Sequence, residues 1–474
     1  MSKMSKMSKM KDASTERSRV LTNKSYDYFT YHPDAAPSRV YTCSLTGEKL
    51  YEFTSPCGAR LYYMHKNVHL SAGVASVPYG GADDHVSTKM GRRVVSLAGC
   101  AHFAEHMLFT GKGGWMERFI ALGAEANAYT SAESTAYCFT SGTEAGTVNG
   151  FSELMKMVIR PEFDPAQTEK EREIILRELG EDDDVFYEGR KRVIEMLFSR
   201  GCIRRDPGGS AKYVRQITNE MLQGIYDVAY KPGEFVFTLI SNVGVNNARG
   251  VFETNLLGEK YAGSVIHSYR RNVPRNDRKC ESFAHASGTV AFFCGIAADI
   301  SALINNNPGR KHASAYVYTS MLNSMLLDRS EPLFNRLCEE VEGIYGEFVS
   351  DTEIRDNDCV ITANLMCEDP AAVAEAFERI FAEMKNSGEL FEFSSFESKR
   401  RVLSADYLTV LESPSEAAIA ISEYAQRGEC FFDTIEIIQS LDIEAFRDFA
   451  RAALGNARIV YAASKPKQPK ENKK

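Results

Sequence analysis

The pattern of apolar and polar positions alternates along the chain between strand-like and helix-like segments. A short alternating run at 60–65 predicts a strand. Two further alternating runs, 125–131 and 135–141, are separated by three residues and predict a β-hairpin. A largely apolar stretch at 96–110 that stops before Gly111 predicts a helix with a glycine just past its end. Strands and helices mixed in this way predict an α+β fold.

A second helix is predicted to start at Asp164, whose side chain can cap it ahead of Pro165. A comparable capped segment starts at Ser394, in the second part of the chain. Each segment is followed further on by an apolar run, VFTLIS in the first case and RIVYAA in the second. This parallel predicts two similar α+β halves, each a mostly antiparallel sheet with helices packed on it.

Changes in composition divide the chain into five parts. Residues 1–36 are predicted to be a disordered or loosely ordered tail, and 466–474 a disordered basic tail. Residues 37–245 and 289–465 are predicted to be the two α+β domains. Between them, 246–288 is rich in Asn, Arg, Gly and Ser and is predicted to be a linker.

Composition and charge narrow the class of function. Of 474 residues, 44% are apolar and 25% are charged, as in globular proteins. The net charge is −8, with no long basic run outside the termini, which argues against a nucleic-acid partner. No stretch is long and apolar enough for a membrane span or a signal peptide. Eleven cysteines without a C-x-x-C pair predict a reducing compartment, the cytoplasm.

The segment GCAHFAEHMLF carries His102, Glu105 and His106 in the pattern His-x-x-Glu-His. Residues four apart share one face of a helix, so both imidazoles point the same way and Glu105 lies beside them. Two neutral imidazoles suit Zn²⁺, and a nearby carboxylate outside the metal shell can act as a general base. The flanking residues are apolar or small, so this helix is predicted to be buried, where its three polar groups need partners. We therefore predict one zinc ion per chain.

Catalytic zinc needs a third protein ligand. The helix predicted from Asp164 offers Glu171 and Glu178, which lie two turns apart on one face. We predict that Glu178 binds the metal and that Glu171 orients an imidazole. A solvated acidic face is the alternative for this helix, less so at Glu178, which follows an apolar run.

Three blocks, HFAEH, then NAYTS with TAYCF, then EREIILREL, occur in the order found in the insulinase/pitrilysin peptidases. The chain resembles this family over 37–245, and it is similar to the β-subunit of mitochondrial processing peptidase. The resemblance implies an endopeptidase that hydrolyses short flexible peptides, with each chain forming one wall of a clamshell chamber. It implies the same metal ligands, base and supporting acid: His102, His106, Glu178, Glu105 and Glu171.

In this family a strand beside the zinc pairs with the extended substrate. The matching residues, for which an ordinary hairpin is the alternative, are Ala126, Asn127, Ala128, Tyr129 and Thr130.

The family also uses an Arg and a Tyr from the second half to hold the substrate carbonyl. Tyr345 matches the tyrosine, with a core aromatic as its alternative reading. Cys338 stands at the arginine position, two residues from Arg336. A chain with the metal motif but without a clear Arg–Tyr pair resembles subunits of the family's two-chain bacterial branch. The resemblance therefore implies a sister subunit that carries the pair, or a homodimer.

Two other functions stay open at this stage. One is a family member that binds a peptide or a subunit with little or no catalysis, for which Cys338 argues. The other is a non-peptidase metal protein with a different third ligand.

Overall fold

The structure is a computed structural model that describes residues 37–89, 91–111, 114–161, 163–181, 184–386 and 391–467. The predicted tail at 1–36 lies outside the described residues. Of the predicted tail at 466–474, only Pro466 and Lys467 are described, and Pro466 ends a strand.

The described strands form two large sheets and two small ones. In chain order they are β1 (Arg39–Thr42), β2 (Lys49–Thr54), β3 (Arg60–His65), β4 (Ser71–Val77), β5 (His85–Thr88), β6 (Arg93–Val95), β7 (Ala124–Thr130), β8 (Thr135–Ser141), β9 (Phe198–Arg200), β10 (Val236–Ser241), β11 (Val265–Ser268), β12 (Val273–Pro274), β13 (Cys280–His285), β14 (Ala291–Asp299), β15 (Ile344–Arg355), β16 (Asp358–Cys367) and β17 (Arg458–Pro466).

The described helices lie between these strands. They are α1 (Cys100–Phe109), α2 (Trp115–Ala121), α3 (Glu144–Ile159), α4 (Thr168–Glu181), α5 (Val185–Leu197), α6 (Ala211–Val214), α7 (Asn219–Ala229), α8 (Val245–Asn255), α9 (Ser301–Asn306), α10 (Lys311–Leu327), α11 (Pro332–Glu340), α12 (Pro370–Asn386), α13 (Phe393–Glu412), α14 (Pro414–Gln426), α15 (Asp433–Ser440) and α16 (Ile443–Gly455). None of these helices combines the length and the apolar composition needed to cross a membrane.

The first half is built on a sheet with the strand order β1-β2-β3-β10-β4-β8-β7. Its neighbouring strands are antiparallel except for β3 and β10. Every residue of β4 and β10 is buried, because helices cover both faces of the sheet at its centre. The predicted hairpin is present as β7 and β8, and β7 forms an edge of the sheet.

The second half repeats this plan with fewer strands. Its sheet has the order β13-β17-β14-β16-β15, and β13 with β17 is the parallel pair. The expected α+β architecture of two similar halves is thereby confirmed, and both large sheets are open.

The two halves exchange helices. Helix α5 lies in the first half of the sequence but packs its apolar face on β14 and β17 of the second sheet. Helix α14 lies in the second half but packs on β4 and β10 of the first sheet. There the hydroxyls of Thr238 and Ser422 are 2.8 Å apart, and Gln426 donates to the carbonyl of Ser76 at 2.7 Å. The halves are therefore interlocked rather than joined by one connection.

The stretch 246–288, predicted as a linker, has regular structure over much of its length. Helix α8 buries Val251 and Phe252 in the first core, and β11 pairs with β5. Strand β13 then joins the second sheet. The segment rich in Asn, Arg, Gly and Ser thus also contains apolar residues that pack in the first core, and its role as the linker between the two domains stays a prediction. The boundaries at 245 and 289 stay a prediction.

Two predicted helix starts are displaced. Helix α1 begins at Cys100 rather than near residue 96. Asp164 accepts a hydrogen bond from the backbone N–H of Ala166 at 3.1 Å, as predicted, but it caps a 3₁₀ turn, Pro165–Gln167. Helix α4 follows that turn.

The seam between α5 and the second sheet leaves no room for an added methyl group. A Cβ at Gly189 would lie 2.2 Å from Cε1 of Phe293, whose ring is buried. We expect Gly189→Ala to lower the free energy of unfolding by about 1–3 kcal/mol, because the clash outweighs the gain in helix propensity. Gly455→Ala is the matched control, since a Cβ there meets open space at a helix end. Chemical denaturation measures both; equal stability of the two variants would contradict the tight seam.

Candidate metal centre and active site

Helix α1 carries the metal motif and owes its position to a glycine. Gly99 precedes the helix with φ 94°, a left-handed conformation, and a Cβ there would lie 2.9 Å from the carbonyl oxygen of Gly208. The helix buries its apolar residues in the first core, namely Cys100, Ala101, Phe103, Ala104, Met107 and Leu108. Its polar residues are left to face α4 and β7, the elements packed beside it.

The structure brings His102, His106 and Glu178 together. The Nε2 atoms of the two histidines are 3.2 Å apart, and Oε2 of Glu178 lies 3.7 Å from the first and 3.5 Å from the second. Zinc bonds of about 2.1 Å at tetrahedral angles place neighbouring ligand atoms about 3.4 Å apart. The three atoms therefore fit a single zinc ion. Among the described residues, this is the one group of His, Cys, Asp and Glu side chains placed closely enough to hold a metal ion.

The two imidazoles have suitable protonation and orientation. Burial, followed by the nearby His106, lowers the pKa of His102 to about 4, so His102 is neutral, the form that binds metal. Glu171 is 2% exposed, and its Oε2 lies 3.2 Å from Nδ1 of His106. With Nδ1–H of His106 donating a hydrogen bond to Glu171, Nε2 of His106 carries no proton and is free for the metal. Glu171 thus has the orienting position predicted for it.

An acid that sequence reasoning missed lies beside His102. Asp206 comes from the loop after β9; its negative charge favours the protonated form of His102, and it accepts a hydrogen bond from the hydroxyl of Tyr187. Nδ1 of His102 is buried and has no hydrogen-bond partner among the described residues. The turn sequence DPGG was the available signal, but nothing in it shows that the loop folds back onto α1.

Glu105 is buried beside the cluster, 9% exposed, on the same helix. Its Oε2 accepts a hydrogen bond from the hydroxyl of Thr130 at 2.8 Å. Burial raises the pKa of Glu105, while the Thr130 hydrogen bond opposes the rise. A carboxylate whose pKa is shifted toward neutral pH is a better general base than an exposed one.

The predicted substrate residues 126–130 all lie in the edge strand β7, which ends at Thr130. Among the described strands, β7 pairs with β8 alone. Its other edge thus presents backbone N–H and C=O groups close to Glu105.

A cavity of about 840 Å³ has Asp206 in its lining, whereas His102, His106, Glu178 and Glu105 do not line it. Ser131 and Ala132 of the β7–β8 turn line one part of it, and Asp206 and Arg190 line another. Side chains of both charges surround it, so the cavity can accept a polar, extended ligand. The sequence did not indicate this cavity, because the lining residues come from distant segments.

The residues considered for the carbonyl-binding role are not brought to the cluster. Tyr345 is 52% exposed, so the core-aromatic reading is wrong, and its hydroxyl bonds to Glu368. Arg336 is 2.7 Å from Glu383, and Cys338 is exposed in α11. The residue of β15 that contacts the β7–β8 turn is Arg355. It lies at the opposite end of the strand from Tyr345, about 30 Å away along β15.

Comparison with known proteins supports the same family. A family model described as Insulinase (Peptidase family M16) matches residues 95–205. The zinc protease YmfH of Bacillus subtilis, itself uncharacterized, is 22% identical over 89% of this chain and 97% of that protein. The mitochondrial-processing peptidase subunit beta of Caenorhabditis elegans is 30% identical, over 39% of this chain and 40% of the subunit.

Solved structures share the fold. A putative M16-like peptidase from Alicyclobacillus acidocaldarius has a TM-score of 0.79 at 20% identity, covering 90% of this chain and all (100%) of that one. A peptidase M16 inactive domain from Pseudomonas fluorescens has a TM-score of 0.72 at 14% identity, covering 89% and 99%. Together these matches support an insulinase/pitrilysin-type protein. Its relatives include proteins named zinc proteases and a protein named an inactive domain.

The geometry predicts that the two glutamates of α4 contribute unequally to zinc affinity, since Glu178 belongs to the cluster and Glu171 contacts an imidazole of it. We expect Glu178→Gln to weaken zinc binding more than Glu171→Gln, because only the first replaces a carboxylate of the cluster by a neutral amide. The Glu171 change should cost about 10–100-fold in affinity, as for other groups that orient a metal-bound imidazole. Zinc titration by calorimetry measures both. Glu173→Gln, on an exposed position of the same helix, is the control; a larger loss from Glu171→Gln would make Glu171 the ligand.

Proposed function

We propose that this chain is a zinc-dependent endopeptidase that hydrolyses short, flexible peptides in a closed chamber formed with a second subunit. The observation that carries the proposal is the placement of buried Glu105 between the His102–His106–Glu178 cluster and the free edge of β7. A metal site, a base and a peptide-binding edge are thereby combined at one place.

The chemistry follows from the residues at the cluster. When bound by the two histidines and Glu178, zinc would polarise a peptide carbonyl and activate a water molecule for attack. The hydroxyl of Thr130 holds Oε2 of Glu105, which leaves Oε1 to accept the proton of the water. The same carboxyl group can then deliver this proton to the leaving amine.

The substrate class follows from the edge strand. A peptide can add to β7 as a further strand only when it is extended, since its own backbone groups must be free to pair. A folded protein satisfies its backbone groups internally and cannot offer such a strand. Short or unfolded segments are therefore the proposed substrates, with the neighbouring cavity accepting part of their length.

The proposed partner is a sister subunit with an Arg–Tyr pair, or a second copy of this chain. The exposed position of Tyr345 and the ion pairs of Arg336 support a carbonyl-binding pair that comes from outside. The relative from C. elegans is itself named as a subunit. The eleven free cysteines support the proposed cytoplasmic location.

A second candidate function is peptide or subunit binding with little catalysis. Cys338 at the arginine position favours it, as does the likeness to a domain described as inactive. Peptide cleavage assays separate the two candidates.

The role of Glu105 is tested by Glu105→Gln. The amide keeps the shape and the hydrogen bond to Thr130 but cannot accept a proton from water. We expect zinc content to stay near one per chain and peptide cleavage to fall about 10²–10⁴-fold, the usual contribution of a general base. Metal analysis and a fluorogenic peptide library measure the two quantities. Cleavage at the native rate would refute this role.

Dependence on a partner is tested with the zinc-loaded chain alone and after addition of a sister subunit. We expect the chain alone to cleave peptides about a hundred- to a thousand-fold more slowly than the chain with the sister subunit, which is the typical effect of a missing carbonyl-binding donor. Full activity without a partner, unchanged by Tyr345→Phe, would contradict a shared site. Peptide binding without cleavage in both conditions would favour the binding protein.

A further inference from the structure

The turn between β7 and β8 is tied to the second half by one acid. Oε1 of Glu133 accepts a hydrogen bond from Nη1 of Arg355 at 2.9 Å, and its Oε2 forms an ion pair with Arg427. Each carboxylate oxygen therefore has its own guanidinium group. Both arginines belong to the second half, whereas the turn belongs to the first.

The two guanidinium groups are themselves held in place. Arg355 is 17% exposed, and its Nε donates to Glu353 at 2.9 Å. The other oxygen of Glu353 accepts from Arg190 of α5 at 2.7 Å. Arg427 directly follows α14 and donates to the carbonyl of Glu423 at 2.7 Å. The anchors thus lie at the end of β15 and on the two exchanged helices.

Hydrogen bonds within the turn connect the position of Glu133 to that of Thr130, which contacts the proposed base Glu105. Ser131 and Ser134 close the turn with a backbone hydrogen bond of 2.8 Å, and the hydroxyl of Ser131 adds a second bond to the same carbonyl at 3.1 Å. Thr130, which bonds to Glu105, is three residues before Glu133. A shift of the turn would therefore move both the end of the substrate strand and the contact to Glu105.

The ion pairs are placed to fix geometry more than to stabilise the fold. The Glu133 side chain lies in the cleft between the halves but keeps 41% of its surface open to solvent, where ion pairs contribute little to stability. Its place in the cleft alone would raise the pKa of Glu133, but Arg427 and Arg355 outweigh this effect and hold the pKa below its usual value. Glu133 is thus ionised at neutral pH.

We propose that Glu133 is a positioning residue, through which the second half holds the β7 edge and the Glu105–Thr130 contact in place for catalysis. The inference rests on the proposed peptidase function, which it deepens. It assigns to the second half, which has no metal ligands among its described residues, a direct part in shaping the site.

Kinetics of Glu133→Gln test the proposal under the condition, with or without partner, in which the unmodified chain is active. We expect kcat/KM to fall about 10–100-fold, as for displacements of reacting groups by a fraction of an ångström to one ångström. Zinc content and Tm should stay close to those of the unmodified chain. Glu133→Asp, which keeps the charge, should recover part of the loss. Glu144→Gln, an exposed acid just after β8 without a hydrogen bond or ion pair shown in the structure, is the matched control.

A double-mutant cycle separates positioning from general damage. Arg427→Gln should lower kcat/KM like Glu133→Gln, and the double variant should fall no further than the worse single variant, because both remove one shared interaction. Full additivity of the two losses, or kcat/KM of Glu133→Gln equal to that of the control, would overturn the proposal.

Hydrogen exchange supplies a readout that does not depend on activity. We expect Glu133→Gln to raise amide exchange about tenfold or more in 124–141 and to leave the centre of the second sheet unchanged. A chain that never cleaves peptides would remove the proposed peptidase function, yet this measurement would still decide whether Glu133 holds the hairpin. Unchanged exchange in 124–141 would show that it does not.

Discussion

The structure depends above all on the exchange of helices between the two sheets. Helix α5 follows α4, the helix that carries Glu178, and packs on the second sheet through Val193, Leu197 and their neighbours. Helix α14 packs in return on β4 and β10, and β4 pairs directly with β8 of the hairpin beside the candidate metal site. Because each half covers apolar surface of the other, neither half can turn away without exposing that surface to water. The metal cluster and the hairpin are therefore held in a frame to which both halves contribute.

Within this frame, the site concentrates buried polar groups that are costly unless each has a partner. Glu171 contacts His106, and Glu105 accepts a hydrogen bond from Thr130. The two Nε2 atoms and Oε2 of the half-exposed Glu178 lie 3.2–3.7 Å from one another, and Nδ1 of His102 has no hydrogen-bond partner among the described residues. These groups come from α1, α4 and β7, and the buried ones among them need polar partners. The separations of the three candidate ligand atoms are close to those in a tetrahedral zinc site, so the arrangement is suited to bind zinc. Burial also shifts the pKa of Glu105 upward, which suits a proton acceptor working near neutral pH.

The hairpin β7–β8 connects the frame formed by the two halves with the polar groups of the candidate site. Its edge offers backbone groups to an extended peptide, its last residue contacts Glu105, and its turn is bound by arginines of the second half. Tyr345, by contrast, is exposed at the far end of β15. The proposed chamber, completed by another subunit, would account for both facts, since Tyr345 is exposed and β7 has a free edge. Within its own chain, the second half supports the β7–β8 turn through Arg355 and Arg427.

Local patterns in the sequence determined the parts of this protein that depend on neighbouring residues. The helix with His102, Glu105 and His106, the hairpin and the capped approach to α4 were predictable, because helix faces, strand alternation and capping act over a few positions. Glu178 was predicted as the third ligand from its place on the second helix, and the family resemblance implied the same ligand. Tertiary structure alone decided the rest. The apolar face of α5 does not indicate which of the two sheets it covers. Asp206 lies near His102 only because its loop folds back onto α1. Glu133 has no local feature that distinguishes it from other turn residues, since Arg355 and Arg427, which contact it, are more than 200 residues away in the sequence. Such contacts depend on which surfaces the chain buries together, and no local spacing encodes that choice.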